Sequence, residues 1–104
     1  MMGINRSEQA TSSRISEKQV KAMARCLTCY TRQAILRELG AGEKVPLAQL
    51  RRNLSVGPAT LSHHVEQLQR AGLIDIERVG RSAFVRLRKD VLKSFGGWLV
   101  DLAS

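Results

Sequence analysis

Small and hydroxyl-bearing side chains cluster in one short stretch near the middle of the chain, and their chemistry suits contact with a nucleic acid. The members of this stretch are Pro58, Ala59, Thr60, Ser62 and His63. Hydroxyl groups can bond to phosphates or base edges, and a methyl group such as that of Ala59 can touch the methyl group of thymine. If the stretch opens a helix, its backbone N–H groups also favour a phosphate. The alternative is an ordinary amphipathic surface helix.

Basic residues between positions 78 and 93 form a second candidate group. They are Arg78, Arg81, Arg86, Arg88, Lys89 and Lys93. An arginine fork can grip a phosphate with two hydrogen bonds. Arg81 follows Gly80 in a predicted turn, from which it could enter a narrow minor groove, with Arg78 and Arg86 beside it on phosphates. Arg51 and Arg52 are further phosphate candidates. The alternative is a solvated, charged hairpin.

Two cysteines, Cys26 and Cys29, form a third candidate site. Thiols at this spacing can bind a soft metal or form a redox pair. Zinc would need two more ligands, and the sequence holds no second cysteine pair. Packing of Cys26 as a small apolar residue is the third interpretation. All three stay open for these thiols, and the sequence predicts no other metal site and no cofactor.

Adjacent histidines, His63 and His64, also invite a metal interpretation. Neighbouring residues on a helix point about 100° apart, so the pair cannot easily chelate one ion. We therefore expect one imidazole to contact a nucleic acid and the other to pack against the body of the protein.

Composition narrows the class of partner. The chain has 104 residues, with 17 Lys and Arg against 9 Asp and Glu, for a formal net charge of +8. One domain is expected at this length, and the charge predicts a polyanionic partner, with nucleic acid before an anionic membrane surface. Aromatic residues make up only 4%, which argues against an RNA-binding sheet that stacks bases on exposed rings. No catalytic triad, carboxylate pair or phosphate loop is present, so we predict that the protein is not an enzyme.

The amino terminus predicts an arm rather than a targeting segment. Residues 1–14 are polar, without helical periodicity or an apolar signal core. No apolar run approaches the ~20 residues of a transmembrane helix. We therefore expect a flexible arm over residues 1–14, a folded domain over 15–104 and a cytoplasmic location without membrane association.

The elements that must position the candidate residues follow from periodicity and stop signals. Ser16 is typical of a helix N-cap, Gly40 and Gly42 of the end of a second helix, and Pro46 and Pro58 of the first positions of a third and fourth. Two β-rich runs around Gly80 predict a hairpin, and apolar residues from 91 to 102 a last helix. The order α-α-α-α-β-β-α, mainly helical with a small hairpin, predicts a winged helix-turn-helix.

Three segments carry a family resemblance. They are Thr-Arg-Gln-Ala-Ile-Leu at 31–36, Leu-Ser-His-His-Val-Glu-Gln-Leu-Gln-Arg-Ala-Gly-Leu-Ile at 61–74, and Gly-Arg at 80–81. On these segments the chain resembles the ArsR family of bacterial winged helix-turn-helix repressors over about residues 17–103. The resemblance implies a homodimer that pairs through the first and last helices. It also implies that the helix over 57–70 enters the major groove and the hairpin lies beside the minor groove.

The metal sites that the family commonly uses have no counterpart here. Where the family places Cys-Val-Cys-Asp-Leu, this chain has Val-Pro-Leu-Ala-Gln-Leu at 45–50. The last helix has Asp90 and Asp101 but no histidine. The resemblance therefore implies a regulator without the usual metal sites, and its inducer stays unassigned.

Together these observations predict a sequence-specific transcriptional regulator that binds double-stranded DNA. We expect a repressor that occupies a palindromic operator as a homodimer. A winged-helix protein-interaction module is the main alternative, in which the polar arm and Trp98 would serve a partner. An RNA-binding winged helix is a third.

Overall fold

The computed structural model describes residues 15–40 and 43–104, which fold into five helices and a three-stranded sheet. The helices are α1 (Glu17–Leu27), α2 (Tyr30–Glu38), α3 (Leu47–Leu54), α4 (Pro58–Arg70) and α5 (Lys89–Leu102). The strands are β1 (Val45–Pro46), β2 (Ile74–Val79) and β3 (Ser82–Leu87). The predicted arm over residues 1–14, and Gly42, lie outside the described residues.

The predicted start of α1 is confirmed by a reciprocal cap. The Ser16 hydroxyl accepts a hydrogen bond from the Gln19 backbone N–H at 3.0 Å, and the Gln19 side chain accepts one from the Ser16 N–H at 3.4 Å. These two bonds satisfy amide groups that the helix itself cannot. The helix then buries Val20, Met23 and Cys26 on one face.

A tight turn joins α3 to α4 and fixes their crossing. Ser55 ends α3 in the left-handed conformation, with φ 52°. Gly57 caps α4 in an extended conformation, and Pro58 takes the first helical position, as the sequence predicts. The side chains of Leu61, Val65 and Leu68 are buried, which turns the opposite face of α4 outward.

The sheet contains one strand more than the sequence predicts. The predicted hairpin is β2 and β3, paired antiparallel around Gly80, whose φ of 60° suits glycine. Strand β1 pairs antiparallel with the other edge of β3, so the order is β1-β3-β2. Pro46 was expected to open a helix; it instead ends β1, and α3 begins at Leu47. Proline fits there because an edge strand tolerates the missing N–H donor.

The core lies between α1, α2, α3, α4 and one face of the sheet. Its fully buried side chains include Met23, Ile35, Leu39, Leu50, Leu61, Leu68, Leu73, Ile74 and Val85. None of the helices described is both long and apolar enough to cross a membrane.

Helix α5 is covered on one side only. Phe95 is buried, and Trp98 stacks on it with ring centroids 6.3 Å apart. Leu99, Val100 and Leu102 remain 48%, 67% and 68% exposed. The helix therefore presents apolar side chains that the described part of the chain leaves exposed.

Candidate nucleic-acid interface

The outward face of α4 forms one wall of a shallow concavity against β2. Its lining includes Ala59, Ser62, His63, Glu66, Gln69, Ile76 and Arg78. Positions 59, 62, 66 and 69 recur at helical spacing, so their side chains stand on one stripe. The structure thus brings the predicted Ala59, Ser62 and His63 together on one surface. It adds Glu66 and Gln69, which the sequence analysis missed although the same spacing could have found them.

A second concavity adjoins the first at the amino end of α4. It has a volume of about 500 Å³ and lies between α3, α4 and the hairpin. Its lining includes Pro58 and the polar side chains of Arg51, Ser62, Arg78 and Arg81. Ser62 and Arg78 line both concavities, so the two form one surface, which we call the open surface.

Unpaired positive charge surrounds the open surface. Arg51, Arg52, Arg78 and Arg81 are exposed, and none forms an ion pair with another residue in 15–40 or 43–104. The amino end of α4 has no side-chain cap, so its first N–H groups are also free to meet an anion. These donors suit the phosphates of a nucleic acid backbone.

Arg86 lies apart from this group. In the register of the hairpin Arg78 pairs with Ala83, whereas Arg86 pairs with Asp75. Because side chains alternate between the two faces of a strand, Arg86 points away from Arg78 and α4. We call the side that carries Asp75, Glu77 and Arg86 the outer face. The sequence analysis grouped Arg86 with Arg78 and Arg81, and the structure separates them.

Ion pairs neutralise the outer face. Arg86 and Arg88 each lie 3.6 Å from Asp75, and Lys44 pairs with Glu77. A hydrogen bond from Lys44 lowers the pKa of Glu77. Arg88 lowers the pKa of Asp90 in the same way, through a bidentate pair at 3.1 and 3.0 Å. This face therefore carries both signs of charge in balance.

Thr60 is the other predicted residue that the two concavities omit. It is exposed on the first turn of α4. It stands four positions before His64, on the side of the helix next to α2. From there it can meet a phosphate at the edge of a groove rather than a base at its centre.

His64 ties α4 to the rest of the domain. Its Nδ1 accepts a hydrogen bond from an Arg32 Nη1 at 3.1 Å, since a guanidinium can only donate. Arg32 also donates to the carbonyl oxygens of Cys26 and Arg25 at 3.3 Å each. Burial lowers the pKa of His64, and the charge of Arg32 lowers it further. His64 is thus the packed imidazole of the pair, and His63 is the exposed one.

The two thiols occupy different environments near that cluster. Cys26 is buried, its Sγ lies 3.7 Å from the Gln67 carbonyl oxygen, and burial raises its pKa. Cys29 is half-buried at the start of α2, with its Sγ 3.9 Å from His64 Nδ1. Both are free thiols. Over residues 15–40 and 43–104 no three His, Cys, Asp or Glu side chains form a group that could hold a metal ion.

Sequence comparison locates a helix-turn-helix in the same part of the chain. A family model described as a helix-turn-helix domain matches residues 31–77, from the first turn of α2 into β2. No curated protein matches the sequence.

Solved structures share the fold across most of the chain. A crystal structure of an ArsR family transcriptional regulator is 20% identical, with a TM-score of 0.76 over 85% of this chain and 90% of its own. The homodimeric winged helix-turn-helix DNA-binding domain of Mb0332 from Mycobacterium bovis is 24% identical, with a TM-score of 0.67 over 83% and 78%. The transcriptional repressor BigR from Xylella fastidiosa is 19% identical, with a TM-score of 0.63 over 96% of each chain.

These matches agree with the resemblance noted in the sequence. The winged helix-turn-helix fold is shared with these solved structures, and the helix-turn-helix lies where the family model matches. The chain therefore has a winged helix-turn-helix fold, which it shares with solved structures of ArsR-family transcriptional regulators.

Proposed function

We propose that this protein is a sequence-specific DNA-binding transcriptional regulator that represses by occupying a two-fold symmetric operator as a homodimer. The observation that carries the proposal is the open surface. There the outward stripe of α4 adjoins arginines that no carboxylate of residues 15–40 or 43–104 neutralises. A polyanion with readable base edges in a groove is the partner that this combination fits.

Helix α4 supplies the sequence-reading part of this surface. Its leading residues, Pro58, Ala59 and Ser62, are small enough to let the helix backbone approach the floor of a major groove. Ser62 and His63 then offer hydrogen bonds, and Ala59 offers a methyl contact. The free N–H groups of the first turn fix the helix on a phosphate.

The arginines supply the part of the binding that does not depend on DNA sequence. Arg81 at the tip of the hairpin enters the minor groove, and Arg51 and Arg78 contact phosphates on either side of α4. Each phosphate neutralised releases counterions, so affinity falls as salt rises. These contacts position the protein, while α4 selects the sequence.

The uncovered side of α5 supports the proposed homodimer. Leu99, Val100 and Leu102 are exposed, and a second copy would cover them while α1 packs beside them. The Mycobacterium bovis domain, which shares the fold, is itself homodimeric. Two copies related by a two-fold axis would present two α4 helices to half-sites about 34 Å apart, one turn of DNA.

Selection of bound sequences from a random duplex library tests the proposal. We expect an enriched palindrome, and sedimentation of the free protein should give the mass of a dimer. Failure to enrich any sequence from the library would reject the regulator and favour a protein-interaction module. Enrichment of a single half-site by a monomer would keep DNA reading and reject the dimer.

A further inference from the structure

One acidic side chain interrupts the otherwise basic open surface. Glu66 lines the concavity formed by α4 and β2, and no other Asp or Glu lines either of the two concavities. Its side chain is exposed, and it has no ion pair or side-chain hydrogen bond with any residue in 15–40 or 43–104. Arg78 lines the same concavity without pairing with it. The carboxylate is therefore available to a ligand.

A free carboxylate at this place opposes non-specific DNA binding. It would lie near phosphates of the same sign and repel them. The repulsion is offset only if the carboxylate meets a hydrogen-bond donor on the DNA. In the major groove the donors are the amino groups of cytosine and adenine.

The position of Glu66 on α4 directs it toward base edges. It stands four residues after Ser62 and seven after Ala59, on the stripe that faces outward. Successive members of the stripe are three or four residues apart, which is about 4.5 to 6 Å along the helix axis. Glu66 thus follows Ser62 along the groove floor when α4 lies in it.

We propose that Glu66 is a specificity-determining residue whose carboxylate accepts a hydrogen bond from a cytosine amino group in each half-site. Cytosine is favoured because adenine places the acceptor N7 beside its amino group, where it would face the carboxylate. The proposal rests on the proposed function, since it names the base that the open surface selects.

Library selection with three variants tests it. Glu66→Ala should lose the preference for cytosine at one position of each half-site and keep the preference elsewhere. Glu66→Gln should shift that position toward adenine, because an amide pairs with both N6 and N7 of adenine. Glu43→Gln, between α2 and β1, removes the same charge at an exposed position outside the open surface and outside α1 and α5, and it should leave the selected sequence unchanged.

Binding measurements add a second readout. For the selected site, replacing the cytosine should weaken the unaltered protein about tenfold, and it should change binding by Glu66→Ala less than twofold. Both Glu66 variants should bind a random duplex more tightly, since the repulsion is gone. Thermal unfolding should be unchanged because the side chain is exposed.

The outcomes separate this proposal from the one it rests on. If the unaltered protein selects a palindrome and Glu66→Ala selects the same one with full cytosine preference, the role of Glu66 is rejected and the regulator stands. If the unaltered protein selects nothing, both proposals are rejected.

Discussion

Both sides of the β-hairpin carry arginines, but only those on one side are neutralised by carboxylates. On the side of α4 and at the tip, Arg78 and Arg81 have no acidic partner in the part of the chain described. On the outer face, Arg86 and Arg88 share Asp75. Only the first pair retains charge for an external anion. The net charge of the chain therefore overstates how many basic residues are available to DNA. The positions of the carboxylates determine which arginines remain available.

A negative charge introduced at the centre of the open surface should weaken operator binding more than one introduced on the outer face. Ser62→Glu places a carboxylate at the residue shared by both concavities, so we expect operator binding to weaken about 100-fold or more through repulsion and a lost contact. Arg86→Glu on the outer face changes the net charge by one more unit in the same direction. It should weaken binding less than threefold if the two sides differ as described. Fluorescence anisotropy with labelled operator measures both.

The rates at which Cys26 and Cys29 react with an alkylating reagent should distinguish the buried thiol from the accessible one. Cys29 is half-buried and should react with a small alkylating reagent in the folded protein, whereas the buried Cys26 should react only on unfolding. Each of the variants Cys26→Ser and Cys29→Ser retains one thiol, so mass spectrometry of the two variants gives the alkylation rate of each cysteine. Rapid labelling of Cys26 in folded protein would contradict the packing seen here. Operator binding before and after labelling tests the redox interpretation of the pair.

Acid should destabilise the contact that holds α4 to α2. The pKa of His64 is lowered in the folded state, so the unfolded chain binds the extra proton more readily. The free energy of unfolding should therefore fall as pH drops below about 6.5, the ordinary histidine value. His64→Gln should flatten this dependence between about pH 7 and 5.5, before carboxylates such as Glu77 titrate. Urea unfolding across this range measures it; an equal slope in the variant would exclude His64.

The smallest effect is expected from the ion pairs of the outer face. Asp75→Asn removes the shared partner of Arg86 and Arg88. Because these groups are about half exposed, the loss of stability should stay at or below about 1 kcal/mol. Operator affinity should change less than twofold. A large gain in affinity would mean that Arg86 reaches DNA once it is released.

Local signals predicted the helices well. The cap at Ser16 and the proline at the start of α4 act through neighbouring backbone groups, so their effect can be read from a few residues. Strand β1 could not be predicted in this way. It has only two residues, and it exists because β3 offers an edge to a segment about 40 residues away in sequence.

The candidate site could be predicted only where it depends on local spacing and not on long-range pairing. Helical spacing groups Ala59 with Ser62, and it would have added Glu66. The strand pattern showed that Arg86 alternates with buried residues, yet it did not show which residues would lie opposite. That depends on the register with β2, which sets Arg86 against Asp75.

The salt dependence of operator binding in single arginine variants shows whether the two sides of the hairpin differ in DNA contact. For Arg78→Ala and Arg81→Ala we predict affinities about tenfold lower and slopes of log K against log salt flatter by about one unit each. Arg86→Ala, which removes the same side chain from the outer face, should keep both the affinity and the slope of the unaltered protein. Equal losses of affinity and slope in all three variants would show instead that the two sides of the hairpin bind DNA alike.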